Sequence, residues 1–440
     1  MTTTTPRDPS VPKGNREPSY EFGRREAEIM ARFASGSRVS VNRGRARGYP
    51  GLTSVAPSTL AFYQAFSSII SGKHVLDAGS GASQGTRVLS EHVPHVTALD
   101  WDTRALEFGK EYAPSAEFLQ ADLCNGTPVD RADAAVMVDV LGHLANPESA
   151  LRGLRACLPV ASKLFLAEPK AYASQRLVAP VCRAYSKRSL RHLLLRSGFE
   201  VEELDCSGGT FVTLVAGRSA DPAIDALVEG FHQAGRGQFF AARSEFERAQ
   251  RSNRDDVKLE AMLGEAEAAF GAHEGDLAVR SYFEANDLAP EDGRALSGLA
   301  RVALVTGELD DALRLAHDSV KRDPTEAAAN TAMALAAEQL GHPDAFNAWR
   351  VAANLAPADP EVATGLARVS AANQNYSFAI QVLERVRGYG NVLGVQFHVT
   401  FGWLLLADGR KQDAALEARY ALGLVPGDEA AKELVRAIEA

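Results

Sequence analysis

Four stretches in the first half of the 440-residue chain combine residue types and spacings that could bind a ligand or do chemistry. The first, His74-Val75-Leu76-Asp77-Ala78-Gly79-Ser80-Gly81-Ala82-Ser83-Gln84-Gly85, reads as an apolar strand, a glycine turn and the start of a helix. Glycines there let the backbone pass close to a ligand without a Cβ in the way. Such a turn could cradle the pyrophosphate of a dinucleotide. Asp77 tips the balance, because a carboxylate just before the glycines repels a pyrophosphate and tolerates a cation. Val96-Thr97-Ala98-Leu99-Asp100 ends a second strand with an acid able to accept both hydroxyls of a ribose. In Leu119-Gln120-Ala121-Asp122-Leu123, Asp122 is placed to accept from an adenine amine. The fourth stretch runs from Ala134 through Asp139 to Leu141-Gly142-His143-Leu144. His143 is the candidate general base, since an imidazole titrates near neutrality. Asp139 is expected to contact the ligand or substrate; a structural role for His143 is the competing reading.

Apolar runs alternating with amphipathic ones must position these residues. Strands are expected at 74–78, 95–100, 116–119, 133–139, 162–167, 199–205 and 210–216, and helices near 84–91, 102–111, 147–157 and 187–197. This alternation implies a mostly parallel sheet covered on both faces. Only Ser207-Gly208-Gly209 joins the last two strands, too short a link for a parallel crossover, so the seventh strand should run antiparallel to the sixth. Ahead of the sheet, residues 1–18 are rich in Thr, Pro and charge and read as a flexible tail. Residues 19–54 read as a helix, Ser19 to Phe33, and a Gly/Arg-rich loop that could close over a site. Tyr20 and Arg43 from that segment, and Tyr172, Arg176 and His192 from between the fifth and sixth strands, are candidate substrate contacts.

With these residues in view, 55–217 resembles the class I S-adenosylmethionine-dependent methyltransferases, a Rossmann-like seven-stranded fold with an antiparallel seventh strand. The resemblance implies S-adenosylmethionine as cofactor, bound by Asp77, Ala78, Gly79, Gly81, Asp100, Asp122 and Leu123, with Trp101 on the adenine and Asp139 nearby. Pro169 after the fifth strand, Tyr185-Ser186-Lys187 and Gly198-Phe199-Glu200 are similar to the branch acting on small molecules, lipids or sugars. Ser83 stands where relatives often have a third glycine, and Gly142 where a glutamate usually precedes the histidine.

Beyond Ser219 the composition turns to Ala, Leu, Glu and Arg at helical spacing. Pro290, Pro324, Pro357 and Pro426 are separated by 34, 33 and 69 residues. A period near 34 points to tetratricopeptide repeats, an all-α solenoid of helical pairs. Small residues recur at matching offsets: Gly307, Ala312, Ala316 and Ser319 in one unit, Gly409, Ala414, Ala418 and Ala421 in another. Residues 221–440 therefore read as about six repeats, closed by a cap helix near 428–438. They are expected to hold a substrate or partner protein or peptide, or a second copy of the chain as a homodimer.

Composition narrows the classes further. The net charge of −9 divides into −13 for residues 221–440 and +4 for the rest, so a partner at the repeats would be basic and nucleic acid is an unlikely one. Cys124, Cys157, Cys182 and Cys206 include no C-x-x-C pair, which argues against a metal site. No run of 18 apolar residues and no basic-then-apolar leader occurs, so a cytoplasmic protein without a membrane partner is expected. The expected activity is O- or N-directed methyl transfer to a small molecule or a peptide or protein. The alternative, motivated by Gly142, is a non-catalytic cofactor-binding scaffold whose repeats mediate protein interaction.

Overall fold

The computed structural model describes residues 57–170, 183, 185–205, 211–388 and 393–439. The N-terminal tail and lid segment, including Tyr20 and Arg43, lie outside them, as do Tyr172, Arg176 and the turn at 207–209.

The first unit begins with α1 (Pro57–Ser67), a helix the sequence reading did not anticipate. It continues β1 (His74–Ala78), α2 (Gln84–Ser90), β2 (His95–Asp100), α3 (Thr103–Tyr112), β3 (Glu117–Gln120), β4 (Ala134–Val138), α4 (Pro147–Cys157), β5 (Lys163–Pro169), α5 (Lys187–Arg196), β6 (Phe199–Asp205) and β7 (Phe211–Arg218). The expected strands are therefore present, with ends shifted by a residue or two. Sheet order is β3-β2-β1-β4-β5-β7-β6. The first five strands are parallel, and β7 lies antiparallel to both β5 and β6. Covering helices on both faces explain why β4 is apolar throughout and wholly buried, without polar alternation. One core, with Leu76, Leu99, Met137, Leu141, Leu154 and Leu190, lies on one face. Tyr63, Phe66, Val75, Val136 and Phe165 fill the other.

Local chemistry sets the helix starts. Asp102 caps α3 by accepting the Arg104 N–H at 2.9 Å. Asn146 does the same for Ser149 ahead of Pro147 in α4, and Ser186 forms a capping box at α5.

The second unit is a solenoid of thirteen helices among the described residues. These are α6 (Pro222–Ala234), α7 (Phe239–Ala249), α8 (Asp255–Gly271), α9 (Gly275–Leu288), α10 (Arg294–Thr306), α11 (Leu309–Arg322), α12 (Ala327–Gln339), α13 (Ala345–Leu355), α14 (Pro360–Ala372), α15 (Tyr376–Gly388), α16 (Val395–Ala407), α17 (Lys411–Leu424) and α18 (Glu429–Glu439). Packing gives the period its physical meaning. Gly264 of α8, Gly298 of α10 and Gly365 of α14 each face a buried ring of the helix before: Phe246, Tyr282 and Trp349. A Cβ on any of these glycines would come within 2.5 Å of that ring. Large residues thus enter the notch that a missing side chain leaves, which brings successive helices close. The closing helix α18 uses the same device, with Leu434 against Gly402.

Helix α5 joins the two units. Leu195 packs into a core with Ile224, Leu227 and Phe246, and the Arg196 guanidinium lies 4.4 Å from the Phe231 ring centroid. The fully buried Glu260 of α8 meets Arg196 at 2.5 Å, Arg294 at 2.7 Å and His192 at 2.6 Å. Burial alone would raise the Glu260 pKa, but Arg294, Arg196 and His192 hold it well below the usual carboxylate range. Arg155–Asp225 and Arg254–Glu200 pairs flank the junction. Among the described residues no helix is long and apolar enough to cross a membrane.

Candidate active site

The carboxyl ends of four adjacent strands carry the four acids singled out by sequence: Asp77 on β1, Asp100 on β2, Asp122 just after β3 and Asp139 just after β4. In open parallel sheets this end is where ligands bind. Backbone hydrogen bonds sew the loops together there. Gly79 and Ser80 donate to the Leu99 carbonyl at 2.8 and 3.0 Å, and Ala121 donates to the Asp100 carbonyl at 2.8 Å.

The turn between β1 and α2 needs its glycines. Gly79 has φ +86°, and a Cβ there would fall 2.6 Å from a Val140 methyl group. Gly81 has φ +52°. Ser83, at the third-glycine position, keeps the left-handed backbone of a glycine at φ +63°, a conformation that costs an L-residue about 1–2 kcal/mol. The site tolerates this strain, as functional turns often do.

Asp77 is fully buried. Its two oxygens accept the Tyr63 hydroxyl at 2.8 Å and the Thr86 hydroxyl at 2.6 Å. Tyr63 reaches it across Gly85, whose missing side chain makes room for the tyrosine ring. Burial pushes the Asp77 carboxyl up to about 6, with the charge of Asp100 adding and the two hydroxyls opposing. Asp100, 3% exposed, accepts the Gly81 N–H through Oδ2 and the Asp102 N–H through Oδ1, each at 2.9 Å. It therefore braces the glycine turn as well as ending β2.

The neighbouring residues are held in the same manner. Trp101 is half-buried, and its carbonyl accepts from the Gln120 amide at 3.1 Å. Asp122 caps a short turn at Leu123–Asn125 through the Cys124 N–H at 3.1 Å. Ala78 and Leu123 are buried apolar neighbours.

After β4 the chain turns sharply. Asp139 adopts φ +58°, and its N–H donates to the Ala167 carbonyl at 2.8 Å. A short 3-10 turn, Leu141–His143, follows and places His143 Nε2 3.5 Å from Asp139 Oδ1, both side chains partly exposed. Buried Glu168 accepts the N–H groups of Val140, Leu141 and Gly142. Burial, then the charge of Asp139, pushes Glu168 up to about 7 against the pull of those three N–H groups. Sequence reading passed over Glu168, Tyr63 and Thr86, because the partner of each lies in another element and leaves no local spacing.

The structure thus gathers Asp77, Gly79, Gly81, Asp100, Trp101, Asp122, Asp139 and His143 at one end of the sheet. His192 belongs elsewhere. It sits on the outer side of α5 between Glu260 and Asp292, at 2.6 and 3.5 Å, so it serves the junction of the two units. The reason is helical phase: Leu190, Leu193 and Leu194 take the sheet-facing side of α5.

The residues present suit S-adenosylmethionine. A turn that has no room for a Cβ at Gly79, the buried carboxylate of Asp77 and the carboxylate ending β2 fit a ligand with a cationic group and ribose hydroxyls.

Residues 56–204 match the family model described as a methyltransferase domain. No curated protein matches the chain. Among solved structures, it is similar to a TehB-like S-adenosylmethionine-dependent methyltransferase from Corynebacterium glutamicum. That pair shows 20% identity, 36% coverage of this chain and 88% of the other, and a TM-score of 0.31. An S-adenosylmethionine-dependent methyltransferase from Aquifex aeolicus gives 20% identity, 36% and 89% coverage and a TM-score of 0.32. One from Mesorhizobium loti gives 18%, 38% and 100%, and 0.32. At the level of the matched segment, this part of the chain is a methyltransferase domain.

Proposed function

We propose that the protein transfers a methyl group to an oxygen or nitrogen of a small molecule or a peptide or protein. We propose also that its solenoid is a tetratricopeptide-repeat domain that recruits the substrate or a basic partner, or pairs two copies of the chain. One observation carries this reading: Asp77, Asp100, Asp122 and Asp139 stand at the ends of adjacent strands around two left-handed glycines. Asp77, Gly79, Gly81, Asp100 and Asp122 would hold the cofactor, which would supply an electrophilic methyl group on a sulfonium. The protein's work is then to place the acceptor in line with it and to take up the acceptor's proton. His143 is the base, and Asp139 orients it and stabilises its charged form.

Calorimetry with S-adenosylmethionine and S-adenosylhomocysteine tests the cofactor part, with Asp100→Ala expected to weaken both by tenfold or more. Transfer of a labelled methyl group to fractionated small molecules and peptides tests the acceptor class. No binding by the wild-type chain, or an unchanged Asp100→Ala, would overturn the reading; binding without transfer to any fraction favours the scaffold.

A further inference from the structure

Three consecutive N–H groups follow Asp139, those of Val140, Leu141 and Gly142. The chain leaves the β4 ladder here: the Asp139 N–H takes the carbonyl of Ala167, the last β5 residue in register with β4. The Glu168 carboxylate receives all three donors, at 2.9, 2.8 and 3.2 Å. It thus stands in for the strand carbonyls that the turn has left behind. Its side chain has no exposed surface, and it shares the site with another carboxylate, Asp139. A charge buried beside a like charge is a poor way to add stability. What such a group supplies is geometry, because ionised acceptors make the strongest and most directional bonds to backbone donors.

The turn it holds carries Asp139 at one end and His143 at the other, 3.5 Å apart. Val140 also rests against Gly79, so the height of the turn is set relative to the cofactor loop. From the other side, the Arg183 N–H donates to the Gly142 carbonyl at 3.2 Å, and the buried Tyr185 hydroxyl to the Leu141 carbonyl at 3.4 Å.

We propose that Glu168 is a positioning residue for methyl transfer: by binding the N–H groups of Val140, Leu141 and Gly142 it fixes the turn that presents Asp139 and His143 to the acceptor. This rests on the reading of Asp139 and His143 as the acceptor-facing pair. Glu168 touches neither acceptor nor cofactor and acts through the turn alone.

Glu168→Gln in the full chain is the test. It keeps the shape but sets an amide donor against a backbone donor. Amide exchange at residues 140–143 should accelerate at least tenfold, with amides of β4 and β5 staying within twofold. In the wild-type chain Asp139→Asn should shift the His143 imidazole resonances, and that shift should fall by more than half in the Glu168→Gln background. The Kd for S-adenosylhomocysteine should move less than threefold. Unchanged exchange at 140–143, acceleration spread evenly over the domain, or an intact response of His143 to Asp139→Asn would each overturn the proposal.

If the variant does not fold, the wild-type chain serves. Glu168 is pushed up to about 7, so lowering the pH from 8 to 6 should loosen the turn, seen as faster intrinsic-rate-corrected exchange at Leu141 and Gly142. The titratable groups that interact with Glu168 are Asp139 on the turn and Tyr185 opposite, with His143 next along the turn. Repeating the series in His143→Gln removes the imidazole's own titration. Protection independent of pH would overturn the proposal. Failure of the wild-type chain to bind S-adenosylhomocysteine would sink the cofactor reading instead, whatever the exchange shows.

Discussion

Asp77→Asn should change stability and ligand affinity in opposite directions. The carboxyl is fully buried, and its pKa is pushed from 3.8 up to about 6. A rise of that size corresponds to about 3 kcal/mol by which the fold prefers the neutral acid. That penalty is absent below the unfolded value near 3.8, grows as pH rises towards 6, and stays in full above it. Asparagine keeps the shape and can still accept one hydroxyl from the Tyr63 and Thr86 pair while donating to the other. The cofactor-free variant should therefore be more stable than the wild type by about 1–3 kcal/mol at pH 7.5, with the two converging near pH 4. Binding should move the other way. Loss of a charged partner to a cationic ligand group costs about 1.5–3 kcal/mol, roughly ten- to a hundredfold in Kd. Denaturant unfolding without ligand, followed by calorimetry with S-adenosylmethionine, reads both quantities. A variant less stable than the wild type that binds the cofactor equally well would refute the argument, because Asp77 would then be a structural acid only.

The same titration makes cofactor binding pH-dependent: the wild-type Kd for S-adenosylmethionine should weaken as pH falls through 6, and Asp77→Asn should abolish that dependence. Gly85→Ala places a Cβ 2.2 Å from the Tyr63 ring, so it should displace the tyrosine from Asp77 and lower stability by about 1–3 kcal/mol, measured by denaturation. Glu260→Gln leaves the partly buried Arg196 without its carboxylate and takes from Arg294 one of its two, Asp292 remaining at 2.9 Å. It should cost about 3–5 kcal/mol and split the two units into separate unfolding transitions, visible by calorimetric scanning. In the solenoid, Gly365→Ala brings a Cβ to 2.3 Å from the Trp349 ring. The expected loss is about 1–3 kcal/mol with a changed Trp emission; an unaltered spectrum would mean that the notch is not what seats the ring.

Much of this was legible in the chain itself. The strand-glycine-helix run at 74–85, the acids at 77, 100 and 122 and the near-34-residue period are local patterns, and the elements they imply are present. Local spacing carries them because a left-handed turn needs glycine, a buried parallel strand needs an unbroken apolar run, and a solenoid repeats its packing. Ser83 obeys the same backbone demand although its side chain does not advertise it. What tertiary structure alone decided is which distant group meets which. Tyr63 and Thr86 close on Asp77, Glu168 reaches back to the turn at 140–142, and His192 turns away from the transfer site to Glu260. Those pairings depend on helical phase and on how layers stack, and they appear only once the sheet has brought the ends of β1, β4 and β5 together.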